Sequence, residues 1–329
     1  MEILRHRADP SITPGERLTV GIAQIAPAWL DRRATLVRIA EAAWQGAAEG
    51  CRLLCFGEAL VPGYPFWLEH SGGARFDDPR QKALFAAYLD QGVIIERGDL
   101  DEIRAIAAEA GMAIYLGIVE RAPDRGGHSL YCSLVYIDPA GLVASVHRKL
   151  QPTHEERLVW GAGDGHGLRV HDLAPFRVGG LNCFENWLPL ARASLYGQGE
   201  DLHVAVWPGG DHNTADITRF IARESRSYVV SASALMRLSD IPPDFTALAE
   251  MAAAERPMFA NGGSAIAGPD GRFLVPPQVD RELLIIAELD HAEVRRERHN
   301  FDLAGHYSRP DVTRLHVDRI RQTTISFEV

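Results

Sequence analysis

Leu18-Thr-Val-Gly-Ile-Ala-Gln-Ile25 alternates apolar, often β-branched positions with small or polar ones, which predicts a strand. Directly after it, residues 31–50 carry Leu36, Ile39, Ala40, Ala43, Trp44 and Ala47 at helical spacing. Asp31 can cap that helix and Gly50 can end it. Arg52-Leu-Leu-Cys-Phe56 is a short, unbroken apolar run of the kind buried on both faces of a parallel sheet. The helical pattern returns over residues 100–110 and the strand pattern over 112–119. Strand, helix, strand, helix, strand is the order that builds α/β layers.

Further along, residues 129–138 and 142–149 predict two strands joined by the tight turn Asp138-Pro-Ala-Gly141, an antiparallel hairpin. A second hairpin is predicted at residues 264–268 and 272–275 around Pro269-Asp-Gly271. Residues 176–181, 203–207, 228–234 and 283–289 predict more strands, and 189–196 and 213–227 predict helices. A short charged helix follows the last strand. Packing this many strands with interleaved helices calls for two mixed sheets. No linker, repeat or low-complexity stretch divides the chain, so one domain is expected.

Composition excludes several classes. The chain has 329 residues, with 34 Lys and Arg against 44 Asp and Glu, a formal net charge of -10. That balance argues against a nucleic-acid partner, whose phosphates demand a basic face. Apolar residues at 46% and charged residues at 24% are those of a globular chain. No apolar run reaches the roughly 18 residues of a membrane helix. Residues 1–17 are charged and broken by Pro10 and Pro14, with no apolar core for a signal peptide. Four cysteines (Cys51, Cys55, Cys132, Cys183) are too few for a disulfide framework at this length. A reduced, cytoplasmic enzyme is the expectation.

Three side chains sit where a strand ends and a loop begins, the edge at which open α/β sheets bind ligands. Glu58 follows the apolar strand in Cys55-Phe-Gly-Glu-Ala-Leu-Val-Pro-Gly-Tyr-Pro-Phe-Trp67. Partial desolvation there would raise its pKa toward that of a general base; taken alone, though, it reads first as a surface carboxylate at a loop. Lys149 ends the first hairpin, and its ammonium suits a developing oxyanion. Its alternative is a solvated lysine, yet Lys82 and Lys149 are the only lysines in an arginine-dominated chain. Cys183 ends Val178-Gly-Gly-Leu-Asn-Cys-Phe-Glu-Asn-Trp187, on a strand-to-helix elbow where backbone N–H groups can lower a thiol's pKa. The alternative for any free cysteine is a small buried hydrophobe. Cys51, Cys55 and Cys132, each inside an apolar periodic segment, are read that way.

In this order Glu58, Lys149 and Cys183 resemble the Glu-Lys-Cys triad of the nitrilase superfamily of carbon–nitrogen hydrolases. The resemblance covers residues 18–315, leaving 1–17 as an N-terminal extension and 316–329 as a short C-terminal tail. Phe56-Gly-Glu-Ala-Leu-Val-Pro-Gly-Tyr-Pro-Phe-Trp67 is similar to the segment holding the family's base. Arg148-Lys-Leu-Gln-Pro-Thr-His-Glu-Glu-Arg157, with Trp160-Gly-Ala-Gly-Asp-Gly165, resembles the lysine segment of the nitrilase branch, whose second glutamate falls on Glu156. Asn182-Cys-Phe-Glu-Asn-Trp-Leu-Pro-Leu190 resembles the nucleophile segment, and His306-Tyr-Ser-Arg-Pro-Asp311 a late nitrilase segment. Nitrilases commonly have Trp after the cysteine; Phe184 keeps the aromatic character but alters pocket shape.

The resemblance implies a single carbon–nitrogen hydrolase domain with a four-layer α-β-β-α sandwich, and helix-mediated pairing into a dimer or into the spirals nitrilases build. It implies a small-molecule nitrile substrate, hydrolysed to acid and ammonia through a cysteine thioimidate and thioester. Neither a metal nor an organic cofactor is required. An amidase or a cyanide-processing hydrolase with the same triad is the enzymatic alternative, and a catalytically silent binding protein the other. Tyr64, Trp67, Trp160, Phe184 and Trp187 cluster in the motif loops and are expected at an apolar pocket, favouring an aromatic or arylaliphatic nitrile. His147 and His154 leave a Cys/His dyad as rival chemistry. His291, His299 and His306 are spaced too widely for a helical metal pair. Gly161-Ala-Gly-Asp-Gly165 lacks the Lys-Ser/Thr of a phosphate loop and reads as a turn.

Overall fold

The computed structural model describes residues 1–7, 16–255 and 257–325. In chain order they form β1 (Glu2–His6), β2 (Arg17–Gln24), α1 (Arg32–Ala48), β3 (Leu53–Phe56), α2 (Trp67–His70), α3 (Pro79–Gln91), α4 (Asp101–Ala110), β4 (Ala113–Arg121), β5 (Leu130–Ile137) and β6 (Val143–Arg148). There follow β7 (His171–Leu173), β8 (Phe176–Asn182), α5 (Pro189–Tyr196), β9 (Leu202–Trp207), α6 (Asp211–Ser225), β10 (Tyr228–Ser233) and β11 (Leu235–Arg237). The last elements are α7 (Leu248–Ala252), β12 (Met258–Ala267), β13 (Phe273–Val279), β14 (Leu283–Asp290) and α8 (His291–Arg298).

The strands make two seven-stranded sheets, one ordered β1-β14-β2-β3-β4-β5-β6, the other β11-β12-β10-β9-β8-β7 with β13 paired to β12. β2, β3 and β4 run parallel, as do β8, β9 and β10; the hairpin partners are antiparallel. Strand pleating then sorts the side chains. Leu53 and Cys55 of β3 join Val20, Ile22, Val178, Val204 and Val230 in a core between the sheets. Leu54 and Phe56 point the other way, onto Ile39 and Ala43 of α1 and Ile103 and Ile106 of α4. That explains why β3 is apolar at every position. On the second sheet, Ala205, Trp207 and Val229 pack under Ile217 and Ile221 of α6, and Leu181 packs under Ala191 and Leu195 of α5. The layers are therefore helix, sheet, sheet, helix. Each Leu or Ile so buried contributes about 1.5–3 kcal/mol, so this double-faced burial is the main force placing the strand ends.

Asp31 caps α1 by accepting the Ala34 N–H at 2.9 Å, and Gly50 supplies the positive φ of +77° just beyond its end. The late hairpin is longer than its alternation suggested, starting at Met258 and ending at Val279. β1 pairs in parallel with β14 and extends the first sheet at its edge. Pro10, Pro14 and the last four residues of the 316–329 tail lie outside the described residues. Among the described residues no helix is long and apolar enough to cross a membrane.

Candidate active site

Parallel strands of both sheets end at one place, and the three side chains singled out by the sequence stand there. Glu58 lies in the turn after β3, where its N–H donates to the carbonyl of Trp207, at the end of β9, at 3.0 Å. The turn needs Gly117 beneath it. A Cβ on Gly117 would lie 2.2 Å from the Gly57 carbonyl oxygen and 2.7 Å from the Glu58 Cα, so only glycine lets β4 pass this close. Lys149 follows β6, its N–H donating to the Cys132 carbonyl of β5 at 2.8 Å. Cys183 follows β8 with a left-handed φ of +44°, a strained conformation for a non-glycine residue. Asn186 Nδ2 holds the Cys183 carbonyl at 2.9 Å.

All of these are buried: Glu58 and Lys149 are 1% exposed, Glu156 2% and Cys183 6%. Lys149 Nζ lies 3.0 Å from Glu58 Oε1 and 2.8 Å from Glu156 Oε2. Glu156 sits in a short 3₁₀ turn (His154–Leu158) capped by Thr153, and its Oε2 also accepts the Thr153 N–H at 2.6 Å. Its Oε1 accepts the Tyr64 hydroxyl at 2.9 Å. Glu156 is thus held by three donors, one of them Lys149. Glu58 is held on one side only: Oε1 faces Lys149 and the Cys132 thiol, the latter at 3.4 Å, while Oε2 accepts no hydrogen bond from the described residues.

The charges follow from burial and company. Burial raises the Glu58 carboxyl, Lys149 pulls it down and Glu156 pushes it up again, leaving it at about 7. Burial would neutralise Lys149, but the charges of Glu58, Cys183 and Glu156 outweigh it and hold the ammonium protonated. Burial and then the Glu58 charge push the Cys183 thiol well above its ordinary value, against Lys149 and a hydrogen bond from the Phe184 N–H. The resting pair is a thiol beside a carboxyl that exchanges its proton near neutrality. This arrangement can move a proton from sulfur to Glu58 while a fixed cation waits for negative charge.

The five aromatics expected at a pocket separate. Tyr64 lines a cavity of about 160 Å³ together with Phe66, Glu156 and Pro208. Trp160 is buried behind it, edge-on to the Tyr64 ring at 5.5 Å and 5.9 Å from Lys149 Nζ. Trp67 packs against Trp29 and Tyr88 in the apolar cluster that also holds Trp160, and does not line that cavity. Phe184 and Trp187 are 41% and 44% exposed, and neither lines it. Adjacency in a motif does not say which way a side chain turns at a loop, and of the five expected aromatics Tyr64 alone lines the cavity, joined by Phe66.

Cys132 is buried as expected but is more than filler, since its thiol donates to Glu58. The hairpin carried that signal: Ser133 pairs with Arg148, which puts Cys132 beside Lys149. Of the rival histidines, His147 Nε2 is taken by Glu185 at 3.0 Å, and His154 is exposed beside Glu155. The glycine-rich loop serves Lys149: the Gly163 N–H donates to the Lys149 carbonyl at 2.8 Å.

A four-layer sandwich that gathers a buried thiol, carboxylates and an ammonium at its strand ends defines a hydrolase that attacks carbon–nitrogen bonds other than peptide bonds through a cysteine. A family model described as carbon-nitrogen hydrolase matches residues 19–299, and the chain belongs to that family, the nitrilase superfamily, within its nitrilase branch. It is 35% identical over 311 residues to a "Nitrilase 2" from an unknown prokaryotic organism, covering 94% of this chain and 95% of that one. It is 33% identical to an aliphatic nitrilase of Sinorhizobium fredii (strain HH103), over 92% of this chain and 96% of the relative. A bifunctional nitrilase/nitrile hydratase of Oryza sativa subsp. japonica is 34% identical, over 93% and 85% of the two chains. Among solved structures, an amidase from Nesterenkonia sp. superposes with a TM-score of 0.62 at 17% identity, covering 89% of this chain and 98% of that one. The C. elegans NitFhit protein gives 0.69 at 15% identity, over 95% and 70%. At these identities the structural matches speak for the fold alone.

Proposed function

We propose that this protein is a nitrilase, converting an organic nitrile and two waters to a carboxylic acid and ammonia, with Cys183 as nucleophile, Glu58 as general base, Lys149 as anion stabiliser and Glu156 in support. The observation that carries the reading is the one-sided binding of Glu58. Lys149 and Cys132 occupy Oε1, leaving Oε2 to take the thiol proton. The thiolate adds to the nitrile carbon, and the charge arising on nitrogen falls to Lys149 and the Phe184 N–H. Water adds to the thioimidate, ammonia leaves, and a second water hydrolyses the thioester, returning the proton to sulfur. Glu156, fixed by Thr153 and Tyr64, holds Lys149 in place throughout.

The Tyr64 and Phe66 rings, 4.7 Å apart and lining the cavity beside Glu156, support an aromatic or arylaliphatic nitrile, since rings pack favourably on rings. The test is a panel of aryl, arylalkyl and short alkyl nitriles with products identified by mass; acid from the aryl members is expected. Turnover confined to short alkyl nitriles would refute the substrate class, and amide as the sole product would refute hydrolysis to acid. We also infer that kcat/KM has an acid limb near pH 7. Below that value Glu58 is protonated and cannot accept the thiol proton, so the rate should fall about tenfold per pH unit. A limb near 4.5, the ordinary glutamate value, would show that burial does not raise the Glu58 carboxyl, and an unchanged limb in Glu58→Gln would show that Glu58 is not the base.

Residues 18–315 form, in this reading, one catalytic domain, supported by the need for strand ends from both sheets to complete the site. All four cysteines are unpaired, which supports a reducing, cytoplasmic setting. Exposed Leu188 and Leu190 before and on α5, and Phe220 on α6, support pairing through these helices into a dimer or larger assembly. Light scattering at micromolar concentration should return at least twice the monomer mass; monomer alone would exclude this.

A further inference from the structure

Glu185 bonds to the backbone beside Lys149 and beside Cys183 without belonging to the charge cluster of the site. It lies two residues beyond Cys183, in the 3₁₀ turn Cys183–Trp187, and is 1% exposed. Its Oε2 accepts the N–H of Asn182, the residue before Cys183, at 2.9 Å. Its Oε1 accepts the N–H of Leu150, the residue after Lys149, at 2.7 Å. Both oxygens lie 3.0–3.1 Å from His147 Nε2, two residues before Lys149. Capping the 3₁₀ turn accounts for the bond to Asn182 alone. The other two partners belong to β6 and its continuation, and β6 is in the first sheet whereas β8 is in the second. One side chain therefore spans the gap between the sheets at the strand ends that present the lysine and the thiol.

The seat of this side chain is built from both directions. Gly167 packs against His147 so closely that a Cβ would stand 2.2 Å from the His147 Cα, so glycine is needed for the loop to close on that strand end. Burial works against the Glu185 charge, but His147 and the N–H groups of Leu150 and Asn182 outweigh it, so the carboxyl is held below its ordinary value. An ionised acceptor makes shorter and stronger bonds than a neutral one, which suits a tie that fixes distance.

We propose that Glu185, seated by His147, is a positioning residue that sets the spacing of Lys149 and Cys183 across the two sheets. It touches no reacting atom and acts through the amides of Leu150 and Asn182. The inference rests on the reading of Cys183 as nucleophile and Lys149 as its electrostatic partner.

The test uses the full chain carrying Glu185→Gln. The amide keeps the shape but presents an NH₂ group to one of the two backbone N–H donors, which opens the tie on that side. Because misplacement of reacting groups by an ångström costs about 100-fold, kcat is expected to fall about 100-fold with KM within about threefold. Alkylation of Cys183 by iodoacetamide, read by mass spectrometry, should slow about tenfold or more, while far-UV circular dichroism and cooperative unfolding persist. Folded Glu185→Gln protein with kcat and Cys183 alkylation at wild-type values would overturn the proposal. So would a fall in kcat that matches only the lost folded fraction. If that variant does not fold, His147→Gln takes its place, since it removes the ring and leaves both backbone amides on the carboxylate. About a tenfold fall in kcat at constant KM and the same fall in alkylation are expected, and wild-type values for both would overturn it. Should no nitrile be turned over by the unaltered protein, the functional reading fails, and alkylation still decides the role of Glu185.

Discussion

Cys183→Ala protein should release ammonia from a nitrile at least about four orders of magnitude more slowly than the unaltered chain, a loss of about 5.5 kcal/mol of barrier lowering. The size of the effect comes from the kind of catalysis. A covalent nucleophile opens the reaction path, and without it the lysine and the carboxylates can only polarise a substrate that nothing attacks. The fold should survive, because the substitution removes a single sulfur atom and leaves the Asn186 bond to the backbone in place. Cys183→Ser should be nearly as inactive. A hydroxyl is far less acidic than the thiol, and a carboxylate of pKa about 7 is too weak a base to ionise it.

Cys132→Ala is the informative control. It also removes a buried thiol at this site, yet its contribution is one hydrogen bond to Glu58, so a loss of about tenfold or less is expected. Ammonia release, thermal unfolding and selective labelling of Cys183 would be measured on all three variants. Wild-type turnover by Cys183→Ala would remove the proposed mechanism altogether. Rapid labelling of Cys183 in the unaltered chain, with the other three thiols spared, would speak against a silent binding protein.

Much of this architecture was legible because burial writes itself into the sequence with the period of the backbone. β3 is apolar at all four positions since each face meets a different layer, and α5 begins at Pro189 and ends at Tyr196 as its pattern predicts. α3 escaped notice because its buried stripe is only Leu84, Tyr88 and Leu89; Asp78 and Pro79, which start it, are also ordinary loop residues. β1 was hidden for a related reason: an edge strand with exposed Glu2 and Arg5 shows no apolar run.

At the site, residue type and position after a strand made Glu58, Lys149 and Cys183 candidates, and their order within the family's motif segments singled them out; all three are buried. What was not legible was direction and partnership. Trp67 and Trp187 stand in motif loops like Tyr64, but one turns into the core and the other onto the surface. Cys132 and Glu185 acquire their partners only when hairpin and sheets are assembled.

Lys149→Met should lower kcat by about three orders of magnitude, the scale of losing a main electrostatic stabiliser, and should also change how stability depends on pH. The second effect isolates the charge. Glu58 and Glu156 share this ammonium in a fully buried setting. Removing it leaves two carboxylates that cannot both stay ionised, so the Glu58 carboxyl, already at about 7, must rise further. A carboxyl whose pKa is higher folded than unfolded binds more protons in the native state. Its contribution to stability is therefore present at low pH and is lost as pH rises through the folded value. In the unaltered chain that loss runs from about 4.5 to about 7; in Lys149→Met it should continue to higher pH. Breaking a buried pair costs about 3–5 kcal/mol when one charge is left behind, and protonation of Glu58 should relieve more of this at pH 5 than at pH 8. Urea midpoints at the two pH values would therefore diverge more in the variant than in the unaltered protein. Equal divergence would mean that Lys149 does not balance these carboxylates. Lys149→Arg keeps the charge but brings a broader, forked group into a site 1% exposed, so it should restore the stability profile more fully than the activity.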